Sequence, residues 1–198
     1  MIRVAVFASG RGSNLEALFD ALEGRRDAAI VLVASDRDDA PALDRARRRG
    51  VEAAVVDPAD AAGMLAALDR AEVDWIVLAG YLKRVPGEVV RRFPSRILNI
   101  HPALLPAHGG RGMYGERVHA AVLKAGEKVS GASVHLVDEE YDRGPVVARE
   151  EVPVEPGDSP ATLAARVLEV EHRLLPAVVI AAAEGRIHVE GDRAWIEE

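Results

Sequence analysis

Two polar residues with catalytic potential, Asn99 and His101, close an apolar run of the chain. Side chains alternate along a strand, so a strand over 96–101 brings both residues out on one face. The carboxyl ends of strands are where open α/β sheets keep their chemistry. An amide donor beside an imidazole stabilises a carbonyl oxygen that becomes an oxyanion. The pair therefore points to acyl transfer or hydrolysis.

A carboxylate for this imidazole is available at Asp142, within an acidic segment that Gly144-Pro145 closes. An Asp near a His raises the imidazole pKa, so we expect His101 to be protonated and to stabilise the oxyanion together with Asn99. Protons would then move through Asp142, directly or by one water. A histidine in an apolar run is otherwise more often a structural residue than a catalyst, so this interpretation depends on its partners.

A glycine-rich turn at 8–14 lies between the first strand pattern and the first helical pattern. The amide N–H groups of Gly12, Ser13 and Asn14 would point at an anion near the positive end of a helix, and a phosphate fits there. Leu15 takes the place of the third glycine of the dinucleotide fingerprint, and no Walker motif occurs, which disfavours NAD and ATP. The structural alternative is a tight turn in which Ser13 or Asn14 caps the helix.

Other polar residues have both a structural and a functional interpretation. Alternation places Ser133 and His135 on one strand face, where His135 is either a hydrogen-bonded structural histidine or a support for the active site. Glu169 and Glu171 lie in a helical pattern and, taken alone, are expected to be solvated charges. The remaining histidines have no metal-ligand spacing and no His-Glu-x-x-His motif occurs, so we expect no metal.

Strand and helix patterns alternate through the first half of the chain. Apolar runs rich in Val and Ile occur at 2–8, 29–34, 53–56, 75–78 and 97–100, and helical periodicity occurs at 14–22, 41–49 and 60–71. This repetition predicts right-handed crossovers and an open, mostly parallel, Rossmann-like α/β sheet with helices on both faces.

The pattern changes after His101. A glycine-rich loop at 107–115 precedes a helix at 116–125, and two strand candidates at 131–137 and 146–154 predict antiparallel additions in the C-terminal third. A long helix is expected from Pro160 to Ala183, because Pro suits the first turn and a hydroxyl precedes it. The tail segments, 186–189 and 194–196, are predicted to form a small hairpin.

The composition of the chain limits its class. Its 198 residues are 49% hydrophobic and 29% charged, which suits one globular domain without a membrane span. The first strand pattern begins at Ile2, so no export signal is expected. The absence of cysteine excludes disulfides and thiolate catalysis and favours a cytoplasmic location. A net charge of −7 argues against a broad nucleic-acid surface.

Taken together, the motifs resemble the phosphoribosylglycinamide formyltransferases, folate-dependent enzymes that formylate glycinamide ribonucleotide in purine biosynthesis. Six separated motifs occur in the family's order: Gly10-Arg11-Gly12-Ser13-Asn14-Leu15, Leu78-Ala79-Gly80-Tyr81-Leu82, residues 99–106, Ser130-Gly131-Ala132-Ser133-Val134-His135, residues 138–145, and Glu171-His172. The resemblance implies a single formyltransferase domain over 1–198, with a ribonucleotide-binding half at 1–100 and a folate-binding, catalytic half at 101–198.

The resemblance also implies residue roles. The catalytic trio is Asn99, His101 and Asp142, and the phosphate end of the ribonucleotide meets Gly12, Ser13 and Asn14. The ribose and amine side of that substrate meets the acidic residue that ends the segment Leu168, Glu169, Val170 and Glu171. The pterin is cradled by Leu82, Lys83, Arg84 and Val85. The loop that closes over it is Asp138, Glu139, Glu140, Tyr141 and Asp142, with Asn99 also at the folate.

The implied reaction is a direct transfer from 10-formyltetrahydrofolate, which is a cosubstrate, with no metal and no NAD. The amine attacks the formyl carbon, the oxyanion meets Asn99 and the His101 imidazolium, and Asp142 helps move a proton to N10. Small molecules are the expected partners, without nucleic acid or membrane, for a monomer or homodimer.

Alternatives remain open beside this interpretation. A 10-formyltetrahydrofolate hydrolase has the same trio but usually an additional amino-terminal domain, for which a strand at Ile2 leaves no room. A methionyl-tRNA formyltransferase adds a carboxy-terminal nucleic-acid-binding domain, and a sugar-amine formyltransferase matches Glu171 less well. A nucleotide-binding module without catalysis is the alternative from another class. The chain departs from the family in a shortened 56–74 segment, without a match for a basic residue near the folate tail, and in the loop at 109–115.

Overall fold

The computed structural model describes residues 1–197. The chain forms two compact units, of which the first spans Met1–Asn99 and the second begins at Ile100. The strand that contains Asn99 and His101 carries the chain from the first unit into the second.

The first unit is built from parallel strands and the helices that connect them. Its strands are β1 (Ile2–Phe7), β2 (Ala28–Ser35), β3 (Glu52–Val55), β4 (Trp75–Leu78) and the start of β5 (Ile97–His101). Its helices are α1 (Ser13–Leu22), α2 (Pro41–Arg48), α3 (Ala61–Arg70) and α4 (Gly87–Arg92). β1 pairs in parallel with β2 and β4, β2 pairs with β3, and β4 pairs with β5. The predicted parallel arrangement is confirmed.

The centre of this unit explains its sequence pattern. Residues Val4 to Phe7 of β1 have no exposed surface, because β1 has a neighbouring strand on each side and both its faces are covered. Such a strand appears as a continuous apolar run. Helix α4 is the element that periodicity did not predict, because it has six residues and Val89 is its buried residue.

The second unit adds antiparallel strands. It contains α5 (Glu116–Ala125), β6 (Val129–Leu136), β7 (Val146–Pro153), α6 (Pro160–Ala183), β8 (Ile187–Glu190) and β9 (Arg193–Ile196). β6 pairs antiparallel with β7, with a register shift between Val134 and His135, and β8 pairs antiparallel with β9. Helix α6 packs against β6, β7 and α5. The antiparallel additions and the terminal hairpin are therefore confirmed.

The strand order is β3-β2-β1-β4-β5-β6-β7 in one mostly parallel sheet, with β8 and β9 in a second sheet. This order confirms the predicted fold class. The start of α6 also follows the prediction: Pro160 is in its first turn, Thr162 N–H donates to Ser159 Oγ over 3.2 Å, and Ser159 N–H donates to Thr162 Oγ1 over 2.9 Å. Within residues 1–197, no helix has both the length and the apolar character to cross a membrane.

Candidate active site

The carboxyl end of β5 positions the two polar residues that the sequence singled out. His101 is the last residue of the strand and is 3% exposed, and half-buried Asn99 lies two residues earlier. Because strand side chains alternate, both emerge on the same face of β5. The chain then turns at Pro102.

The His101 ring contacts two groups of the second unit. Its Nε2 lies 2.9 Å from the backbone carbonyl oxygen of His108, and its Nδ1 lies 3.6 Å from Asp142 Oδ2. A carbonyl oxygen can only accept, so Nε2 carries the hydrogen in this contact. The fold thus brings His101 and Asp142 together, although a long stretch of chain separates them.

Asp142 is held in place by several contacts. Its backbone has φ of +54°, and its side chain is 11% exposed. Oδ2 accepts a hydrogen bond from Gly110 N–H over 2.8 Å, and Oδ1 lies 3.5 Å from His135 Nε2. Burial raises the pKa of this carboxyl, but His135, His101 and the Gly110 N–H together lower it below its ordinary value. Asp142 is therefore ionised near neutral pH.

The expectation that Asp142 makes His101 a cation is wrong for this structure. Burial lowers the pKa of His101, and this effect outweighs the Asp142 charge and the His108 carbonyl, which both raise it. A cation on a ring that is 3% exposed loses most of its hydration, and a carboxylate at 3.6 Å returns only part of that free energy. His101 is therefore neutral near pH 7 in this environment.

Ser133 and His135 contact different groups, although alternation places them on one face of β6. Ser133 Oγ accepts a hydrogen bond from Leu105 N–H over 3.0 Å and donates to the Ala103 carbonyl over 2.8 Å. His135 Nδ1 lies 2.9 Å from the Leu136 carbonyl, and its Nε2 faces Asp142. Ser133 therefore fixes the turn after His101, and His135 lies behind the carboxylate.

Sequence reasoning gave no role to the loop at 107–115, yet two of its backbone groups belong to the cluster. They are the His108 carbonyl and the Gly110 N–H. A Cβ built at Gly109 would lie 2.6 Å from Leu105 Cδ2 and 3.1 Å from Asp142 Cβ, so this glycine permits the close approach. Backbone groups cannot be recognised from residue types. The adjacent glycines Gly109 and Gly110 were the sequence feature that could have indicated a close approach of this loop.

His119 is a buried histidine to which the sequence analysis gave no role. It lies on the buried face of α5 and is 3% exposed, and its Nδ1 has no hydrogen-bond partner among the described residues. Burial lowers its pKa, and a positive charge on His101, once that ring is protonated, lowers it further. His119 is therefore a buried histidine that is neutral near pH 7.

The glycine-rich turn of the first unit leads directly into α1. Gly12 is the N-cap residue, with φ 74° and ψ 35°, and as a glycine it makes no side-chain cap hydrogen bond. The alternative in which Ser13 or Asn14 supplies the cap is therefore wrong. The Gly12 carbonyl accepts from Glu16 N–H over 3.0 Å, and Asn14 is buried. The first N–H groups of a helix have no acceptor within the helix, so a helix start can bind an anion.

The other residues expected at the substrates differ in exposure. In the first unit, Leu82, Lys83 and Arg84 are exposed and Val85 is buried. In the second unit, Asp138 to Tyr141 are exposed, Leu168 is half-buried, Glu169 is exposed, and Val170 and Glu171 are buried. Glu171 is 9% exposed, so its interpretation as a solvated charge is wrong, whereas Glu169 has the predicted exposure. Across residues 1–197, no group of three or more His, Cys, Asp or Glu could hold a metal ion.

A family model described as formyl transferase matches residues 2–179 of the chain. The chain belongs to the formyl transferase family. The resemblance that the six motifs predicted is thus confirmed at the level of the family.

Members of this family include two informative curated relatives. A phosphoribosylglycinamide formyltransferase from Escherichia coli is 35% identical over 204 residues, which cover 99% of this chain and 94% of that protein. A chloroplastic phosphoribosylglycinamide formyltransferase from Arabidopsis thaliana is 43% identical, with 93% of this chain covered. The match spans 66% of the Arabidopsis protein's length, so that relative is longer than this chain.

A solved structure has the same fold. Glycinamide ribonucleotide transformylase 1 from Symbiobacterium toebii aligns with a TM-score of 0.93 and 42% sequence identity. The alignment covers 100% of this chain and 95% of that one. The similarity therefore extends over the fold and not only over the motifs.

Proposed function

We propose that this chain transfers the formyl group of 10-formyltetrahydrofolate to the amine of glycinamide ribonucleotide, a step of purine biosynthesis. The observation that carries the proposal is the contact of buried His101 with ionised Asp142 beside Asn99, in a formyl transferase chain that is similar end to end to a bacterial enzyme of that name. The cluster has the groups that an acyl transfer requires: hydrogen-bond donors for an oxyanion and a base for a proton.

The first step is attack of the amine nitrogen on the formyl carbon, which converts the formyl oxygen into an oxyanion. The Asn99 amide and His101 donate hydrogen bonds to that oxygen. In this structure the His108 carbonyl accepts from His101 Nε2, so an oxygen acceptor already has a place at the ring. The formyl oxygen replaces the His108 carbonyl as the acceptor of this N–H. Its developing negative charge raises the pKa of His101 and so favours the imidazolium form.

The second step transfers a proton and breaks a bond. The attacking nitrogen becomes positively charged as the carbon–nitrogen bond forms, and ionised Asp142 accepts its proton directly or through one water. The bond from the formyl carbon to N10 then breaks, and the proton is delivered to N10. Tetrahydrofolate and the formylated ribonucleotide leave, so atoms and charges balance without a metal or NAD.

The remaining contacts follow the resemblance. The N–H groups of Gly12, Ser13 and Asn14 hold the phosphate at the positive end of α1. Glu171 holds the ribose and amine side, at the end of Leu168, Glu169 and Val170. The pterin lies against Leu82, Lys83, Arg84 and Val85, and is covered by the segment Asp138, Glu139, Glu140, Tyr141 and Asp142. The chain acts on these small molecules as a monomer or homodimer in the cytoplasm, without nucleic acid or membrane.

The test is formyl transfer by the purified chain, with and without glycinamide ribonucleotide. Tetrahydrofolate release is followed by absorbance, and the formylated ribonucleotide is identified by mass spectrometry. We expect release only when the ribonucleotide is present, loss of release in His101→Ala, and normal release in His188→Ala, which alters a half-buried histidine of the terminal hairpin.

Two outcomes would contradict the proposal. Release of tetrahydrofolate and formate without the ribonucleotide would identify a hydrolase. Binding of the ribonucleotide without release under any condition would identify a nucleotide-binding module.

A further inference from the structure

Helix α2 packs against the glycine-rich turn that precedes α1, and one of its side chains holds the turn in position. We propose that Arg45 is a positioning residue for phosphate binding, because it fixes the backbone of residues 10–12 with the amide N–H groups directed away from α2. This inference rests on the proposed function, in which that turn binds the phosphate of the ribonucleotide.

Two hydrogen bonds set the direction of the backbone. Arg45 Nε donates to the Arg11 carbonyl over 2.8 Å, and Ala42 N–H donates to the Gly10 carbonyl over 3.3 Å. Both carbonyls therefore point toward α2. In a trans peptide unit the N–H points opposite to the C=O, so the N–H groups of Arg11 and Gly12 point away from α2. An anion on that side meets donors rather than carbonyl oxygens.

The same helix fixes the turn by close packing. Gly12 has φ of +74°, and a Cβ built on it would lie 3.0 Å from Ala42 Cβ and 3.3 Å from Arg45 Cδ. The aliphatic part of Arg45 thus covers one side of Gly12, and the guanidinium reaches past it to Arg11. Rotation of the peptide unit between Arg11 and Gly12 would break the hydrogen bond to Arg45.

The positive charge of Arg45 is paired with a carboxylate of the first unit. Its Nη1 donates to Glu16 Oε2 over 2.7 Å, while Arg49 Nη2 donates to Glu16 Oε1 over 2.6 Å and to Asp20 Oδ1 over 2.7 Å. Hydrogen bonds from Arg49 and Arg45 lower the pKa of Glu16. Two cations and two carboxylates balance in this group, so Arg45 acts on a bound phosphate through the backbone and not as its direct charge partner.

Arginine suits this position because it donates in two directions at once. Nε donates to the Arg11 carbonyl and Nη1 donates to the Glu16 carboxylate, and the planar guanidinium fixes the angle between these two donors. A lysine has a single ammonium on a flexible stem and cannot hold both acceptors in the same way. Lysine at position 45 is therefore expected to recover only part of the effect.

The experiment compares Arg45→Met and Arg45→Lys with Arg47→Met. Arg47 lies on the same helix, is exposed, and pairs with Asp44, so it is a matched control. Calorimetric titration measures the Kd of glycinamide ribonucleotide and of its dephosphorylated ribonucleoside, and steady-state kinetics give KM and kcat. Thermal melting establishes that each variant is folded.

We expect Arg45→Met to raise the Kd and KM for the ribonucleotide about tenfold, as for loss of one hydrogen bond that involves a charged group. The Kd of the ribonucleoside, the KM for 10-formyltetrahydrofolate and kcat at saturation stay near wild type. Arg45→Lys gives an intermediate Kd, and Arg47→Met is unchanged. This dependence on the phosphate separates positioning from a general structural role.

Equal weakening of ribonucleotide and ribonucleoside binding, or unchanged Kd values in folded Arg45→Met, would overturn the inference. If Arg45→Met does not fold, Arg45→Lys decides by the same comparison. If the wild-type chain does not transfer formyl groups, the proposed function fails by itself. Binding of inorganic phosphate, followed by ³¹P line broadening in wild type, Arg45→Met and Arg47→Met, then still tests Arg45.

Discussion

The cluster around Asp142 and the turn at 10–14 are built in different ways. The cluster joins side chains of β5 and β6 to backbone groups of a loop, all from separate segments of the second unit. The turn is one continuous run of backbone in the first unit, fixed from outside by α2. The first arrangement controls protonation, and the second controls the direction of amide groups.

Their electrostatics differ for the same reason. In the cluster, burial opposes charge on His101 and Asp142, so the protonation states depend on a few close neighbours. Beside the turn, partly exposed ion pairs of Arg45 and Arg49 with Glu16 balance one another. A substitution in the cluster should therefore change chemistry, whereas a substitution in the turn should change binding.

The largest effect is expected from Asp142→Asn. It removes the base and the charge that raises the pKa of His101, so kcat should fall about 10³-fold, within the range for loss of a general base. Single-turnover rates measure the chemical step, and the Kd of the ribonucleotide measures binding. We expect this Kd to stay near the wild-type value. Asp192→Asn, in the exposed hairpin turn, is the control. A normal rate in Asp142→Asn would remove Asp142 from the mechanism.

Gly12→Ala tests the turn. Alanine at φ +74° costs about 1–2 kcal/mol of strain, and its Cβ approaches Ala42 Cβ at 3.0 Å, so the turn should shift. We expect the Kd of the ribonucleotide to rise at least about tenfold, with a smaller change in kcat. Gly50→Ala is the matched control, since Gly50 has φ +71° but open space around it. Both variants should be less stable than wild type in urea unfolding. Equal Kd values of the ribonucleotide for Gly12→Ala and Gly50→Ala would contradict the role of the turn.

His135→Gln should have a smaller effect on turnover, about tenfold or less, because His135 acts through Asp142. His135 is the contact that lowers the Asp142 pKa most, so its loss raises that pKa toward the ordinary value. The acid limb of the kcat/KM profile should then move to higher pH. A reduced kcat with an unmoved acid limb would show that His135 serves packing alone.

The smallest effect concerns stability at acid pH. Burial lowers the pKa of His101, His119 and His172 below 6.5, so the unfolded chain binds more protons than the folded chain once the pH falls below about 6.5. Stability should therefore decrease from pH 7.5 to pH 5, by at most about 1.4 kcal/mol per pH unit for each group.

Urea midpoints at several pH values measure this dependence. His119→Gln removes one of the three groups and should flatten it. An unchanged slope in His119→Gln would contradict the assignment of His119 as a buried neutral histidine.

The sequence by itself determined most of the fold. Continuous apolar runs predicted the buried parallel strands, Ser159 and Pro160 predicted the start of α6, and the 3.6-residue period predicted the long helices. These features depend on local backbone preferences and on which side chains avoid water. Asn99 and His101 were also placed correctly on one strand, because alternation is a local property.

The tertiary structure decided what the site residues experience. Only the packing of separate segments buries His101 and reverses the expected direction of its pKa shift, and only the loop supplies the Gly110 N–H to Asp142. Likewise, the contact of Arg45 with the Arg11 carbonyl requires α2 to lie over the turn. Burial and backbone direction are set by neighbours distant along the chain, and for this physical reason residue types and spacing alone do not determine them.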